Sequence, residues 1–425
     1  MSLALLFLIL FLLLVAGAPV AVALGLSSLI FIMLEGMPSV VVLHNMVNGI
    51  NSFPLIAVPF FIMAGHLMNT AGITTKIFNF ARAAVGWMYG GLGHVNVGAS
   101  VIFAGMSGAA VADAGGLGNI EIKAMREAGY DSDFSVGITA ASSTIGPIIP
   151  PSLPLVVYGV IADTSIGQLF AAGLIPGLLM AMSLMVMVAV YAKMRNYPRD
   201  ERFQFKPFLQ AFGAAILPLF TPIIIVGGIL TGWFTPTEAA IAAVAYSMFL
   251  GLVVYRTLDW KRILRVSMDT VETTASIMMI VAASAIFAWI LTANQVAQMF
   301  ASELLGLTEN KVAILLIIML IVLIVGCFME TIAAITILTP VLLPVAVQIG
   351  IDPVHFGIIL ILNLMIGLLT PPVGMVLYVL SKVSGVPFER CVLATAPFLV
   401  PLVAVLLLLT FIPALSMWVP VAIYR

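Results

Sequence analysis

Long apolar runs separated by short polar junctions set the plan of this chain. Residues 208–230, 239–255, 312–328, 356–369 with its continuation, and 392–413 are nearly all apolar. An apolar run of about 20 residues crosses a hydrocarbon core as a helix. A membrane barrel would instead show short segments of alternating polarity. Inside lipid the backbone must satisfy its own hydrogen bonds, so continuous runs predict helices. Residues 1–15 form a further apolar run without a positively charged leading region. It reads as a retained first span rather than a cleaved signal. The pattern predicts an all-α polytopic membrane protein.

Composition strengthens this reading. The chain has 425 residues, 63% hydrophobic and 8% charged, and its mean hydropathy is +1.23. A soluble domain carries about 25% charged residues, so the bilayer is the solvent here. The net charge of −1 says nothing about partners, and the absence of a basic tract argues against nucleic acid. Cys327 and Cys391 are isolated and the four His are scattered. Neither a disulfide framework nor a transition-metal site is predicted, and no cofactor is expected.

The chain resembles itself at an offset of about 221 residues. Gly129-Tyr130-Asp131 pairs with Gly350-Ile351-Asp352, Gly146 with Gly367, Pro150-Pro151 with Pro371-Pro372, and Pro176 with Pro397. Such self-similarity predicts two structural repeats. Their relative orientation follows from charge, because Lys and Arg near span ends mark the cytoplasm. Lys193, Arg195, Arg199, Arg202 and Lys206 form one cluster, and Arg256, Lys261, Arg262 and Arg265 another. Each positive segment of one half pairs with a nearly neutral segment of the other. Inverted repeats give that pattern. We expect a first repeat over 1–192, a cytoplasmic or interfacial arm over 193–207, and a second, inverted repeat over 208–425. Both termini then lie outside.

Interruptions at membrane depth carry the chemistry. Two adjacent Pro with flanking Gly must unwind a span, since Pro removes a backbone donor and clashes with the preceding turn. The broken spans are expected at about 134–160 and 355–381. Each follows an apolar segment with a small or polar turn in its middle, read as a re-entrant hairpin over about 90–126 and 311–347. Paired broken spans point to a transport site, because freed carbonyls bind cations and half-helix N-termini attract anions. Gly105, Ser107, Gly146, Ile149 and Pro151 are expected to enclose one sodium ion. Gly326, Gly367, Thr370 and Val373 are expected to enclose a second. Carboxylates inside a membrane need a reason, since each costs about 3 kcal/mol. Asp113 and Glu330 follow the hairpin turns and are candidates for the substrate site, with Ser107, Ser152 and Ser165 as hydrogen-bonding partners. Helix capping or an ion pair at an interface is the competing reading for Asp113 and Glu330, whereas Asp131, Asp163 and Asp352 read as helix caps. Thr235-Pro236-Thr237-Glu238 reads as a capping box. All 17 Lys and Arg sit at junctions or ends, so this chain offers an anionic substrate no buried cation.

No GxxxxGK[ST] phosphate loop occurs, which argues against ATP-driven pumping. An ion gradient remains, and one charge crossing about 100 mV releases roughly 2.3 kcal/mol. A sodium-coupled carrier accounts for the repeat and the paired breaks. An ion channel, or a sodium symporter working without a binding protein, is the alternative. An intramembrane enzyme lacks a catalytic set.

At these residues the sequence resembles a known family. GMSGAAVADAGGLGNIEIKAMREAGYD, STIGPIIPPS, FTPTEAA, GCFMETIAAITILTPVLLPVA and LLTPPVG look like the large membrane subunit of TRAP (tripartite ATP-independent periplasmic) transporters, DctM/SiaM type. The resemblance covers essentially the whole chain. It implies an elevator mechanism, in which a domain with two hairpins and two broken spans moves against a scaffold. It implies sodium-coupled uptake of an organic acid (a C4-dicarboxylate, sialic acid or another sugar acid) across a bacterial inner membrane. It also implies two partners, a periplasmic solute-binding protein and a small four-helix membrane subunit carried on a separate chain. The sodium-cage residues match the family's sodium sites. Ser107, Asp113, Ser165 and Glu330 match positions near its substrate pathway.

Overall fold

A computed structural model of the chain describes residues 2–197, 203–308 and 310–424. Among the described residues all regular structure is helical and no strand occurs. Eight helices are long and apolar enough to cross a membrane: Phe53–Thr70, Ile166–Arg195, Phe205–Leu230, Pro236–Val254, Trp260–Ala293, Lys311–Phe328, Thr331–Gln348 and Phe388–Phe411. The apolar runs fall on helices, with ends displaced by a few residues. The first half also holds the shorter helices Val20–Leu34, Val40–Ile50 and Ile73–Val85, which hydropathy alone did not single out.

Two helices form the centre of the molecule. In Ser132–Ser143 every residue from Phe134 onward is buried, and in Pro353–Gly367 every residue from Val354 onward is buried. Pro353–Gly367 is apolar on nearly all sides, as an interior helix must be, and the buried Ser135, Thr139, Ser142 and Ser143 of the other helix are hydrogen-bonded. Each one unwinds at its C-terminal end and resumes as a short helix, Leu153–Ile161 or Met375–Ser384. Each is preceded by two antiparallel helices joined by a tight turn, Gly91–Ser107 with Ala110–Glu127 and Lys311–Phe328 with Thr331–Gln348. The two units are tied directly. The Tyr158 hydroxyl donates to the Pro353 carbonyl at 2.6 Å.

A second apolar cluster lies to one side. Leu6, Leu24, Phe31 and Ile32 of the first two helices pack on Phe287 and Ile290. The latter belong to the 34-residue helix Trp260–Ala293, which is about 51 Å long at 1.5 Å per residue.

The polar stretch between the halves is shorter than its composition implied. Lys193 and Arg195 lie in the last turn of Ile166–Arg195, and Phe205 already opens the next helix. Arg199 and Arg202 lie outside the described residues. Tyr197 is buried, with ring centroids 4.8 Å from both Tyr130 and Phe134. The capping box is present as predicted: Thr235 N donates to Glu238 Oε2 at 2.8 Å, and Glu238 N donates to Thr235 Oγ1. Asp352 caps its helix, accepting from Val354 N at 2.8 Å. Asp131 does not cap with its side chain. Its carboxylate is taken instead by Arg195 and Tyr197. Asp163 takes a left-handed φ of 48°, and the cap of the following helix is Ser165.

Candidate functional site

In each half the tip of the hairpin sits against the unwound stretch. The first tip turns at Gly108, whose φ of +58° suits glycine. A Cβ at Gly108 would strike the Pro151 carbonyl and reach Leu153 N at 3.3 Å. A Cβ at Gly146 would lie 3.9 Å from the backbone of Ala109. The tip therefore fills the break. The turn from Ser142 to Ile149 is held by amides donating to the carbonyls of Ser142, Ser143 and Ile145. Among the described residues no backbone amide donates to the carbonyls of Gly146, Ile149 or Pro151. Carbonyls left without an amide partner at an unwound helix are of the kind that can bind alkali cations.

The second tip turns at Met329-Glu330. Gly326 and Gly367 meet backbone to backbone, and a Cβ on Gly367 would lie 2.6 Å from the Gly326 carbonyl carbon. The Cys327 carbonyl accepts from Val373 N at 3.2 Å and Gly374 N at 3.5 Å. Here the break reaches out to hold the tip. The Gly367 carbonyl already accepts from Thr370 N. Among the described residues the carbonyls of Thr370 and Val373 receive no backbone amide. Thr370 Oγ1 donates to Ile366 O at 2.8 Å, which leaves its lone pairs available. The bonds Pro150-Pro151 and Pro371-Pro372 are both cis.

The candidate residues thus divide. Gly146, Ile149 and Pro151 lie together at the first break, and Gly326, Gly367, Thr370 and Val373 at the second. Gly105 lies on the first hairpin, but its open side faces Pro222 on Phe205–Leu230. Ser107 ends the helix before the first tip, and its side chain lies outside the described residues. Ser152 is buried and spends its hydroxyl locally, donating to Pro147 O and accepting from Leu155 N. Ser165 is not brought to the break. It caps Ile166–Arg195, accepting from Gln168 N at 3.4 Å, beyond the far end of Leu153–Ile161. The Glu330 carboxylate is engaged by its own helix, accepting from Ile332 N at 2.8 Å and Ala333 N at 3.1 Å. The capping reading holds for it. Asp113 is buried in the first turn of its helix, with Oδ2 lacking a partner among the described residues.

Sequence reasoning missed Glu121. It is 1% exposed, and neither carboxylate oxygen has a partner among the described residues. Buried carboxyls are costly and mark functional interiors. Asp113, Leu117 and Glu121 follow one another at four-residue steps, all buried. That spacing was the available signal. Asn96 was missed as well. It donates to Thr139 at 2.7 Å and accepts from Ser142 at 2.6 Å, stitching the hairpin to the broken helix. Asn363 does the same in the second half, donating to Met319 O at 2.7 Å.

Beside an apolar cavity of about 550 Å³ where Gly105, Ile149 and Pro150 face Pro222, two more polar cavities adjoin these assemblies. One of about 510 Å³ lies between the first tip (Ala109, Val111) and His66, Asn69 and Thr273. The other, about 330 Å³, lies between Asn48, Ser52, Ser284 and Thr336. Among the described residues neither is lined by Lys or Arg.

Comparison with known proteins identifies this architecture. Residues 7–415 match the family described as "Tripartite ATP-independent periplasmic transporter, DctM component". The sialic acid TRAP transporter large permease protein SiaM of Vibrio cholerae is 49% identical over 413 residues, 96% of each chain. The C4-dicarboxylate TRAP transporter large permease protein DctM of Pseudomonas aeruginosa is 40% identical, covering 94% of this chain and 93% of that one. The sialic acid permease SiaT of Haemophilus influenzae is 41% identical over 95% of this chain and 66% of its own length. The solved structure of the Alcanivorax borkumensis YdaH transporter has a TM-score of 0.61 over 86% of both chains at 13% identity, a likeness of fold alone. The chain belongs to the TRAP transporter family as a large permease subunit of the DctM type, a multi-pass protein of the bacterial inner membrane and a transporter rather than an enzyme.

Proposed function

We propose that this subunit carries out sodium-coupled uptake of an organic acid, with sialic acid the first candidate. One observation supports the coupling: each hairpin tip is seated against a Pro-Pro break that holds carbonyls without a backbone amide partner among the described residues. Carbonyls of Gly146, Ile149 and Pro151 form one sodium cage, with Gly105 and Ser107 contributing from the hairpin. Thr370 and Val373, beside the Gly326–Gly367 contact, form the other. The N-terminal ends of Leu153–Ile161 and Met375–Ser384 present partial positive charge. With no Lys or Arg lining the cavities, bound sodium and these helix ends offset the substrate's carboxylate. Asp113 sits behind the first tip and couples ion to substrate.

In this reading residues 1–192 and 208–425 are inverted repeats. The hairpins and broken helices move together against a scaffold containing Trp260–Ala293, as an elevator. Membership of a tripartite family supports two partners, a periplasmic binding protein that delivers substrate and a small membrane subunit. Sialic acid comes first because the SiaM of Vibrio cholerae shares the larger identity among the relatives named. C4-dicarboxylates, carried by relatives named DctM, come second.

The test is uptake into proteoliposomes holding this chain, its small subunit and the cognate binding protein, with N-acetylneuraminate and succinate compared. Saturable uptake that requires an inward sodium gradient is expected. Thr370→Ala and Asp113→Ala are expected to cut it while leaving membrane insertion intact. Equal uptake without sodium overturns the coupling, uptake without binding protein points to an autonomous symporter, and unsaturating conductance points to a channel.

A further inference from the structure

A second polar site lies away from both breaks, where Ala110–Glu127, Ile166–Arg195 and Phe388–Phe411 converge. A cavity of about 550 Å³ there is lined by Arg126, Arg195, Arg390, Asp131, Asp133 and the backbone turn 384–387. Two of the arginines are paired. Arg195 Nη1 lies 2.8 Å from Asp131 Oδ2, and Arg390 Nε lies 2.7 Å from Asp133 Oδ1. Arg126 is not. Its Nη1 donates to the Ser384 carbonyl at 2.7 Å. Its Nε is buried without a hydrogen-bond partner, and no carboxylate pairs with it among the described residues. Three guanidiniums against two carboxylates leave one uncompensated positive charge. A buried donor left unmade is costly, and guanidinium forks match phosphate oxygens geometrically.

The surroundings say what kind of anion fits. Tyr378, half exposed, stacks on Phe388 with centroids 4.4 Å apart. Tyr rings gather where a membrane meets water. Leu393 follows Arg390 by three residues on Phe388–Phe411 and is 73% exposed. Val400, two turns further along the same face, is 68% exposed. An apolar track therefore leads from the arginines into the bilayer. A soluble anion has no use for that track, whereas an acyl chain does. Basic pockets between membrane helices hold lipid phosphates by the same chemistry.

We propose that this cavity binds the phosphodiester headgroup of an anionic phospholipid, with Arg126 and Arg390 on the phosphate and an acyl chain along Leu393 and Val400. A phosphodiester carries a single negative charge, which equals the uncompensated charge of the cavity. The Arg126–Ser384 bond joins the first hairpin to the turn after the second broken helix. Occupancy therefore fastens the two halves together.

The test is thermal unfolding of the full-length chain in phosphatidylcholine nanodiscs, titrated separately with phosphatidylglycerol and with inorganic phosphate. Phosphatidylglycerol is expected to raise Tm saturably and phosphate to do little. R126Q and R390Q are each expected to weaken the phosphatidylglycerol effect about fivefold, with the baseline in phosphatidylcholine kept by R390Q. R390Q changes a largely exposed side chain and serves if R126Q does not fold. An equal shift from phosphate overturns the lipid assignment in favour of a soluble anion. A phosphatidylglycerol response unchanged in R390Q overturns the site.

Discussion

The two breaks share a motif and differ in access. All residues from Ser142 to Ser152 are buried, whereas Pro371 and Pro372 are exposed and Thr370 and Val373 are half-buried. In both halves a Gly stands four residues before the Pro pair, and in both the helix unwinds there. What differs is the cover. Gly173 and Gly177 on Ile166–Arg195 let that helix lie against the Ile148 carbonyl and the Ile149 side chain. The positions 221 residues later are Ala394 and Phe398. They turn instead to the first half: Ala394 O meets Gly137, and Phe398 packs on Phe134 and Tyr191. The second break is left open. A local motif therefore decides where backbone oxygens are freed, and a remote helix decides whether they meet solvent. Were both breaks to hold sodium as proposed, the second would exchange its ion readily and the first only after movement.

The largest effect is expected from glycine substitution. Gly367→Ala places a Cβ 2.6 Å from the Gly326 backbone, so tip and break must part. Overpacking of this kind costs about 1–3 kcal/mol, and sodium-driven uptake is expected to fall about tenfold or more. At Gly146 the nearest atom to an added Cβ is Ser143 O at 3.4 Å. Gly146→Ala should transport nearly as the parent does. Equal losses in the two variants, measured as initial uptake rates, would break the comparison at its root. Cysteine labelling sharpens it next. Both native cysteines are buried, so the background is low. Pro372→Cys is expected to react with an impermeant maleimide about tenfold or more faster than Ile148→Cys, since thiol reactivity follows exposure. Comparable rates would show that the first break opens to water.

A third pair separates structure from ion binding. Ser152 caps Leu153–Ile161 and bridges it to Pro147, so Ser152→Ala should cost about 1 kcal/mol of stability and leave the sodium dependence of uptake unchanged. Thr370→Ala loses only a back-bond to Ile366, yet it removes a proposed ligand. It should leave the unfolding temperature alone and raise the sodium concentration for half-maximal uptake. If Ser152→Ala alone changed sodium dependence, the roles would be reversed.

How much of this was legible follows from range. Pro150-Pro151 and Pro371-Pro372 announce themselves because the unwinding is a local property of the chain. So do the glycines four residues earlier. Thr235-Glu238 was readable for the same reason, since both partners sit in one turn. Asp131 was misread as a cap because its partners, Arg195 and Tyr197, stand more than 60 residues away. Glu121 was overlooked because its burial is imposed by packing against remote helices, and its neighbours Lys123 and Glu127 are exposed. Ser165 was placed in the site by nearness in sequence, whereas the straight helix Leu153–Ile161 carries it away. The closed and open states of the two breaks left no trace in the motif, because Gly173 and Ala394 are read only through what they touch.

The smallest effect concerns the two aspartates that open the broken helices. Asp352 caps the helix leading to the open break through Val354 N. Asn caps nearly as well as Asp, so Asp352→Asn should change little. Asp131 opens the helix leading to the closed break, and there the Tyr197 hydroxyl, then Arg195, hold its carboxyl below the usual carboxylate range. A carboxyl with a depressed folded value stabilises the fold above its unfolded value of about 3.9, and that contribution is lost as pH falls through the folded value. The pair is largely exposed, with side chains 46% and 56% accessible, and solvent screens it to at most about 1 kcal/mol. Asp131→Asn should therefore lower the unfolding temperature slightly at pH 7, and the difference from the parent should shrink below about pH 4 and in high salt. A larger loss for Asp352→Asn than for Asp131→Asn would mean that the open half depends on its aspartate's charge. The asymmetry of the two halves would then begin at the helix starts rather than at the covering helix.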